Sequence, residues 1–527
     1  MKKHALVFAF TAVAALAVPL HEASAQMHMG GMEQQNRGGH RSHHRGGGGG
    51  GGGGGMGGVG TGLAIGVVTG IIMSQPGPGA TEEAQPQRPQ GIQRPQGTQR
   101  SNQPQRNARR SGAPPAGETR LVPDEVVVEL RNGASAATLN SVRQRHRLTQ
   151  LESQAFALTG TTFHRWRIPD RRSVPVVVRA LESDSRVVSA QPNYLYALAQ
   201  DAAVKVEASA QPADMATRSD TKPPSAEAKA PADPLQYAIL KMRLDEAHGF
   251  AKGDNILVAV IDSGIDATHP ELKGAVADTF DTVSSAFKPH DHGTGIAALI
   301  VGRDRLRGAS PGARVLAVRA FDTSGSSPEA TTFSILKGLD WSAAKQARVI
   351  NMSFAGPADP VISRSLAAAR KKGIVLIAAA GNAGPKSPPL YPAADPNVIA
   401  ITATDSGDKL FQGSNRGRHI AVAAPGVDVL IAVPDGGYQV STGTSFSAAQ
   451  VSGTVALMLQ NKRSLTPDQV RATLLATAKD LGPTGRDDDF GAGLTDAYRA
   501  LTDSPKEVPK DAPKRGPKTS QRAAPQR

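Results

Sequence analysis

The 527-residue chain contains no cysteine, so disulfide staples and thiol chemistry are excluded. Aromatic residues are scarce, at 4%, whereas Gly (56) and Pro (38) are abundant. A chain so poor in large rings and so rich in backbone breakers cannot be packed core throughout. Its length allows two or three domains, and the question is which stretches fold. The net charge of +14 is also unevenly placed. Between 233 and 502 there are 27 Lys and Arg against 26 Asp and Glu, so nearly all the excess lies elsewhere. Basic charge in low-complexity segments describes solvated tails that an anionic surface can attract, and it points to no specific nucleic acid.

The N-terminus has the three parts of a secretory signal: "MKKH", then the apolar "ALVFAFTAVAALAV", then "ASA" at Ala23–Ala25. The apolar part is short for a spanning helix, so residues 1–25 are expected to be removed and the chain to reach the cell exterior or envelope. Residues 26–119 lack core-forming periodicity. They pass from a Gly/His stretch with an unbroken Gly46–Gly55 run to a Pro/Gln/Arg stretch. His28, His40, His43 and His44 have no closed metal-site spacing. Within this region 57–73 is apolar, with Gly58, Gly62, Gly66 and Gly70 every fourth residue. Helix packing in lipid and a flexible apolar linker both fit that pattern.

Order is expected from 120 to 198. "DEVVVEL" (124–130) is strand-like, 135–148 has helical spacing, "FHRWRIP" alternates, "SVPVVVRALESDS" reads as a Pro-initiated helix, and 187–198 is a final strand. Strand, helix, strand, helix, strand makes a small α+β unit. Residues 199–232 are a second linker and 503–527 a basic tail. Between them, 233–502 alternates apolar runs (256–261, 313–321, 347–354, 374–380, 397–404) with helical patterns such as 329–346 and 360–372. Such a block is α/β, a mainly parallel sheet with helices on both faces.

Three positions in this block carry reactive groups at element boundaries. Asp262 ends the apolar run of "VAVIDSGID", His292 opens the apolar helix of "DHGTGIAALIVG", and Ser445 opens that of "GTSFSAAQVSG". Each could simply cap a turn or helix. Together they supply what a hydroxyl needs to attack at neutral pH: a base, and a carboxylate to orient the base.

In these motifs the block resembles the subtilisin-like serine peptidases, or subtilases. "AAAGNAGP" is similar to the segment that carries their oxyanion-hole Asn, and the order Asp, His, Ser agrees with theirs, which is a worked example of the triad. The resemblance implies that Ser445 attacks the peptide carbonyl, His292 carries the proton, Asp262 holds the imidazole, and Asn382 donates to the oxyanion. As the alternative, Asn382 is a left-handed turn residue beside Gly381. It further implies that Ser353, Phe354 and Ala355 pair with an extended peptide substrate, and that 120–198 is a prodomain whose last strand lies in the cleft as an intramolecular inhibitor. Self-cleavage is then expected between about Tyr196 and Asp233.

Two departures stand out: Gly295 where the family often has a second His, and Ala449 followed by Gln450 where a Pro is usual. No cofactor is expected. A structural calcium is left open by the resemblance but supported by no motif, and the run Asp487, Asp488, Asp489 reads as a solvated loop. The expected function is a secreted, self-processing serine endopeptidase acting on polypeptides. An inactive peptide-binding cell-surface scaffold of the same fold is the alternative. Another has residues 26–119 as the working part, contacting a membrane or anionic surface.

Overall fold

In the run from Val174 to Leu181, apolar residues recur at helical spacing, with a proline at the start. A valine-rich segment can form a helix there because Pro fits the first turn and burial of one face outweighs the β-branched penalty. The computed structural model describes residues 111–199 and 236–503, and in it this segment is a helix burying Val174, Val177, Val178 and Leu181. The segments 1–25, 26–110, 200–235 and 504–527, with the expected signal, apolar segment and tail, lie outside the described residues.

The N-terminal part runs β1 (Leu121–Leu130), α1 (Ala136–Arg145), β2 (Thr149–Phe156), β3 (Thr161–Arg167), α2 (Val174–Glu182) and β4 (Val187–Leu198). It has one strand more than expected. β2 is polar and mostly solvent-facing, so its pattern carries little apolar alternation. The four strands pair antiparallel in the order β4-β1-β3-β2. Trp166, Val126, Val128 and the buried face of α2 form a core between sheet and helices.

The rest runs α3 (Tyr237–Lys241), α4 (Leu244–Ala247), β5 (Leu257–Asp262), β6 (Val276–Asp281), α5 (Asp291–Val301), β7 (Arg314–Arg319), β8 (Glu329–Thr331), α6 (Thr332–Ala344), β9 (Val349–Met352), β10 (Phe354–Ala355), α7 (Pro360–Lys371), β11 (Val375–Ala379), β12 (Ile399–Thr404), β13 (Ile420–Pro425), β14 (Val429–Val433), β15 (Gly437–Ser441), α8 (Thr444–Asn461), α9 (Pro467–Thr477) and α10 (Ala497–Thr502). Seven strands form one all-parallel sheet in the order β13-β12-β11-β9-β5-β7-β6. β11, β12 and β13 are buried at every residue, as strands covered on both faces must be. On one face α5 and α8 pack into a core with Val260, Ile296 and Val455. On the other, α6 and α7 pack with Ile261, Leu336 and Leu366. The helix expected over 329–346 begins at Thr332, because 329–331 is the short strand β8.

The second core extends into the N-terminal part. Val127, Phe156, Phe163, Tyr194 and Tyr196 belong to the same apolar cluster as Phe333, Phe354 and Val361. Polar contacts surround it. Asn193 Oδ1 accepts the Phe333 N–H at 3.2 Å, at the start of α6. Asp359, the N-cap of α7, accepts from Gln191 Nε2 and Thr332 Oγ1, each at 2.7 Å. Ion pairs Arg364–Glu129 (2.8 Å) and Lys337–Glu152 (3.0 Å) flank these.

Candidate active site

β5 lies inside the sheet between β7 and β9 and carries Asp262 at its carboxyl end, where open α/β sheets present functional groups. Asp262 and His292 are fully buried. Asp262 Oδ1 accepts the Ser263 backbone N–H and His292 Nδ1–H, each at 2.7 Å. His292 is the second residue of α5, and Gly293 lets that first turn close on the strand end. A Cβ at 293 would lie 2.8 Å from the Ser263 carbonyl oxygen. With its proton on Nδ1, the imidazole keeps a lone pair on Nε2. Nε2 is buried without a hydrogen-bond partner among the described residues.

Ser445 is the second residue of α8, a helix buried nearly all round. Its Oγ–H donates to the Ala199 carbonyl at 2.6 Å, and the Ser353 carbonyl lies 3.3 Å away. Gly443, just before α8, leaves space. A Cβ there would meet Asn382 Nδ2 at 3.0 Å and the Ala199 oxygen at 3.1 Å. Asn382 follows β11 through Gly381, and it is Gly381 that takes the positive φ (106°), so Asn382 is no left-handed turn residue. Its Oδ1 accepts from Thr444 N (3.1 Å) and Thr444 Oγ1 (2.8 Å). Those contacts fix the amide, and they aim Nδ2, buried and without partner among the described residues, into the space beside the Ala199 oxygen.

The chain that delivers Ala199 is the end of β4, held as a middle strand. On one side Ala197 and Leu198 pair antiparallel with Ala355 and Phe354 of β10, and Ala199 N–H donates to the Ser353 carbonyl at 3.3 Å. On the other, Leu195, Tyr196 and Ala197 pair with Thr331, Ala330 and Glu329 of β8. Residues 353–355, expected to pair with an extended peptide, thus pair with the chain's own strand. Tyr196 is buried edge-on against Phe354 and donates its hydroxyl to the Pro357 carbonyl at 3.2 Å. Its ring lies so close to Gly356 that a Cβ there would be 2.3 Å from Cδ1.

The departures have local causes. A Cβ on Gly295 already lies 2.8 Å from Ile431 Cδ1, so the packing of β14 on α5 leaves no room for an imidazole. Ala449 is fully buried, and Gln450 donates its Nε2–H to the Pro425 carbonyl at 2.9 Å. Asp488 and Asp489 pair with Arg486 and Arg416, and Asp487 Oδ1 accepts from the backbone of Asp489 and Phe490. No group of three or more metal-ligating side chains occurs among the described residues. Sequence reading missed Ser263 and Thr444, the groups that hold Asp262 and Asn382. Their only signal was adjacency to residues already singled out.

An all-parallel sheet covered by helices on both faces, with this strand-and-helix geometry at one end, defines the subtilisin-like class of serine endopeptidase, here joined to a prodomain. The model of the subtilase family matches residues 253–493, and that of the fervidolysin N-terminal prodomain matches 107–193. Thermitase of Thermoactinomyces vulgaris is 33% identical over 274 residues, which is 50% of this chain and 95% of thermitase. The thermophilic serine proteinase of Bacillus sp. (strain AK1) is 32% identical over 339 residues, 63% of this chain and 76% of that protein. The crystal structure of fervidolysin from Fervidobacterium pennivorans superposes with a TM-score of 0.62 at 23% identity, over 75% of this chain and 63% of that one. The chain belongs to the subtilase family.

Proposed function

We propose that the chain is a secreted zymogen whose Asp262, His292 and Ser445 hydrolyse peptide bonds, and that its own first substrate is the bond between Ala199 and Gln200. The observation that carries this reading is the 2.6 Å contact of Ser445 Oγ with the Ala199 carbonyl, on a strand pinned between β8 and β10. With its hydroxyl turned from the Ala199 carbonyl oxygen toward His292 Nε2, to which it is not hydrogen-bonded in this arrangement, Ser445 Oγ attacks the Ala199 carbonyl carbon and gives its proton to that nitrogen. The oxygen gains negative charge and is met by Asn382 Nδ2–H and the Ser445 backbone N–H. Asp262 stabilises the imidazolium through Nδ1–H. Collapse breaks the C–N bond, and Nε2 returns the proton to the Gln200 nitrogen. The Ala199 ester is then hydrolysed by water, with His292 taking the water's proton and passing one back to Ser445 Oγ. Ser353, Phe354 and Ala355 serve as the edge on which a polypeptide substrate replaces β4. Residues 111–199 stay as an inhibitor until displaced, and the signal-like residues 1–25 support export.

Purification of the secreted wild type and of Ser445→Ala tests this. The expected result is a wild-type peptidase fragment beginning at Gln200 and a Ser445→Ala chain that remains joined at that bond and does not digest casein. Casein digestion by Ser445→Ala would remove Ser445 from its role. A mature N-terminus well inside the 200–235 segment, with nothing at Gln200, would remove Ala199 from the reacting position.

A further inference from the structure

A second histidine, unused in the chemistry above, reaches the base from the side of its own backbone. His290 is the N-cap of α5, with extended backbone (φ −139°, ψ 145°), and its Nδ1 accepts the backbone N–H of His292 at 3.3 Å. The same nitrogen lies 3.3 Å from Ser263 Oγ. That hydroxyl lies 3.1 Å from Asp262 Oδ1 and accepts the Gly293 N–H at 3.1 Å. The His290 backbone N–H donates to the Gly264 carbonyl at 2.8 Å, tying the cap to the turn after β5.

These contacts fix the protons. A nitrogen that accepts from a peptide N–H carries no proton, so His290 in this arrangement is neutral with its hydrogen on Nε2. Ser263 has a single hydroxyl hydrogen, which can go to Asp262 or to His290. Adding a proton to His290 Nδ1 reverses the contact. N–H would face N–H at His292, and the new proton would be directed at Ser263 Oγ. The usual N-cap residues Ser, Thr and Asn do the same capping without titrating at all.

We propose that His290 is a positioning residue for the reaction at Ser445: as a neutral cap it holds the first turn of α5, and with it the His292 ring, against Asp262, and it loosens that hold when protonated. This rests on the assignment of His292 as the base. The charged and titratable groups facing His290 are His292 and Asp291 on α5, Lys288 on the preceding loop, and Asp262 on β5. Burial, then the neighbouring imidazole and Lys288, push the His290 pKa below its ordinary value, while Asp262 and Asp291 oppose. The cap therefore stays neutral at neutral pH and is lost as pH falls, so the effect belongs to the acid side.

The test uses purified wild type, His290→Ala and His290→Asn on a Tyr-Ala-Leu-Ala p-nitroanilide, with reactive sites counted by a fluorophosphonate so that rates refer to folded enzyme. In His290→Ala kcat is expected to fall about tenfold with KM changed by less than about twofold, and His290→Asn, which keeps a side-chain acceptor, to recover most of the loss. On the acid side the wild-type log(kcat/KM) is expected to steepen beyond about one per pH unit over the range in which His290 gains its proton, while His290→Asn stays near about one. Wild-type kcat in His290→Ala, equal losses in Ala and Asn, or a one-proton acid limb in both wild type and Asn would each overturn the proposal. A wild type that neither hydrolyses the peptide nor takes the label would sink the base assignment itself, a different result from any of these.

Discussion

Asn382 shows how a single side chain is prepared before any charge develops. Its oxygen is occupied by two donors from Thr444, which hold the amide, and its Nδ2–H is buried without a partner among the described residues, free in the proposed reaction to meet the Ala199 oxygen. Such a donor matters most once that oxygen is an anion. Asn382→Ala is expected to lower kcat about 10²- to 10³-fold with little change in KM, and active-site-titrated kinetics on the Tyr-Ala-Leu-Ala substrate would show it. As candidates, Asp262, His292 and Ser445 stood out because each lies where an apolar run meets a turn or a helix start, whereas Asn382 was picked out only by the resemblance of its segment to the family. Ser263, Thr444 and His290 were not. Their partners come from segments tens of residues apart, and nothing in the local pattern separates them from ordinary loop residues. The clash that bars a histidine at 295 was equally hidden, since Ile431 arrives from a distant strand.

At the scale of the element, two short strands and the end of a long one do what no one of them could. β8 and β10 have three and two residues, yet between them they hold β4 in a register that brings Ala199 to Ser445. β4 and the 353–355 edge were read from the sequence. β8 was absorbed into a predicted helix, because three residues show no period. The register itself has no sequence signature: Ala, Leu, Ala and Gln at 197–200 would look the same shifted by one or two positions. It is set by the buried Tyr196, whose ring lies over Gly356. Gly356→Ala is expected to crowd that ring and to lower kcat/KM for Tyr-Ala-Leu-Ala relative to Ala-Ala-Leu-Ala p-nitroanilide by about tenfold or more, the scale of a lost aromatic fit. The ratio of the two substrates in wild type and variant checks this, and an unchanged ratio would take Gly356 out of substrate selection.

At the scale of the molecule, two folded parts with separate inner cores share a third apolar cluster across their junction. The prodomain side is the more acid-sensitive in one respect. Asp184 is buried and bound by Arg186 through its guanidinium (2.7 and 2.9 Å) and by His146 at 3.3 Å. The Arg186 contacts, chiefly, hold its carboxyl well below the usual carboxylate range. A depressed folded pKa contributes stability above the unfolded value, and that contribution is lost as pH falls through the folded one. Asp184→Asn, introduced into the Ser445→Ala chain, is therefore expected to lower the melting temperature at neutral pH and to narrow its drop between about pH 5 and about pH 2. Melting curves of both chains across that range would show it, and parallel curves would remove Asp184 from the account.

The shared apolar cluster also has a consequence in time. Breaking one covalent bond at Ala199 does not separate surfaces that include Phe156, Phe163, Tyr194 and Tyr196 on one side and Phe333 and Phe354 on the other. Under the proposed cut the fragment would leave only as fast as those rings can be wetted, so a freshly cut population would begin silent. On that reading, activity in a freshly cut sample would lag behind the cleavage itself instead of growing from the moment of the cut.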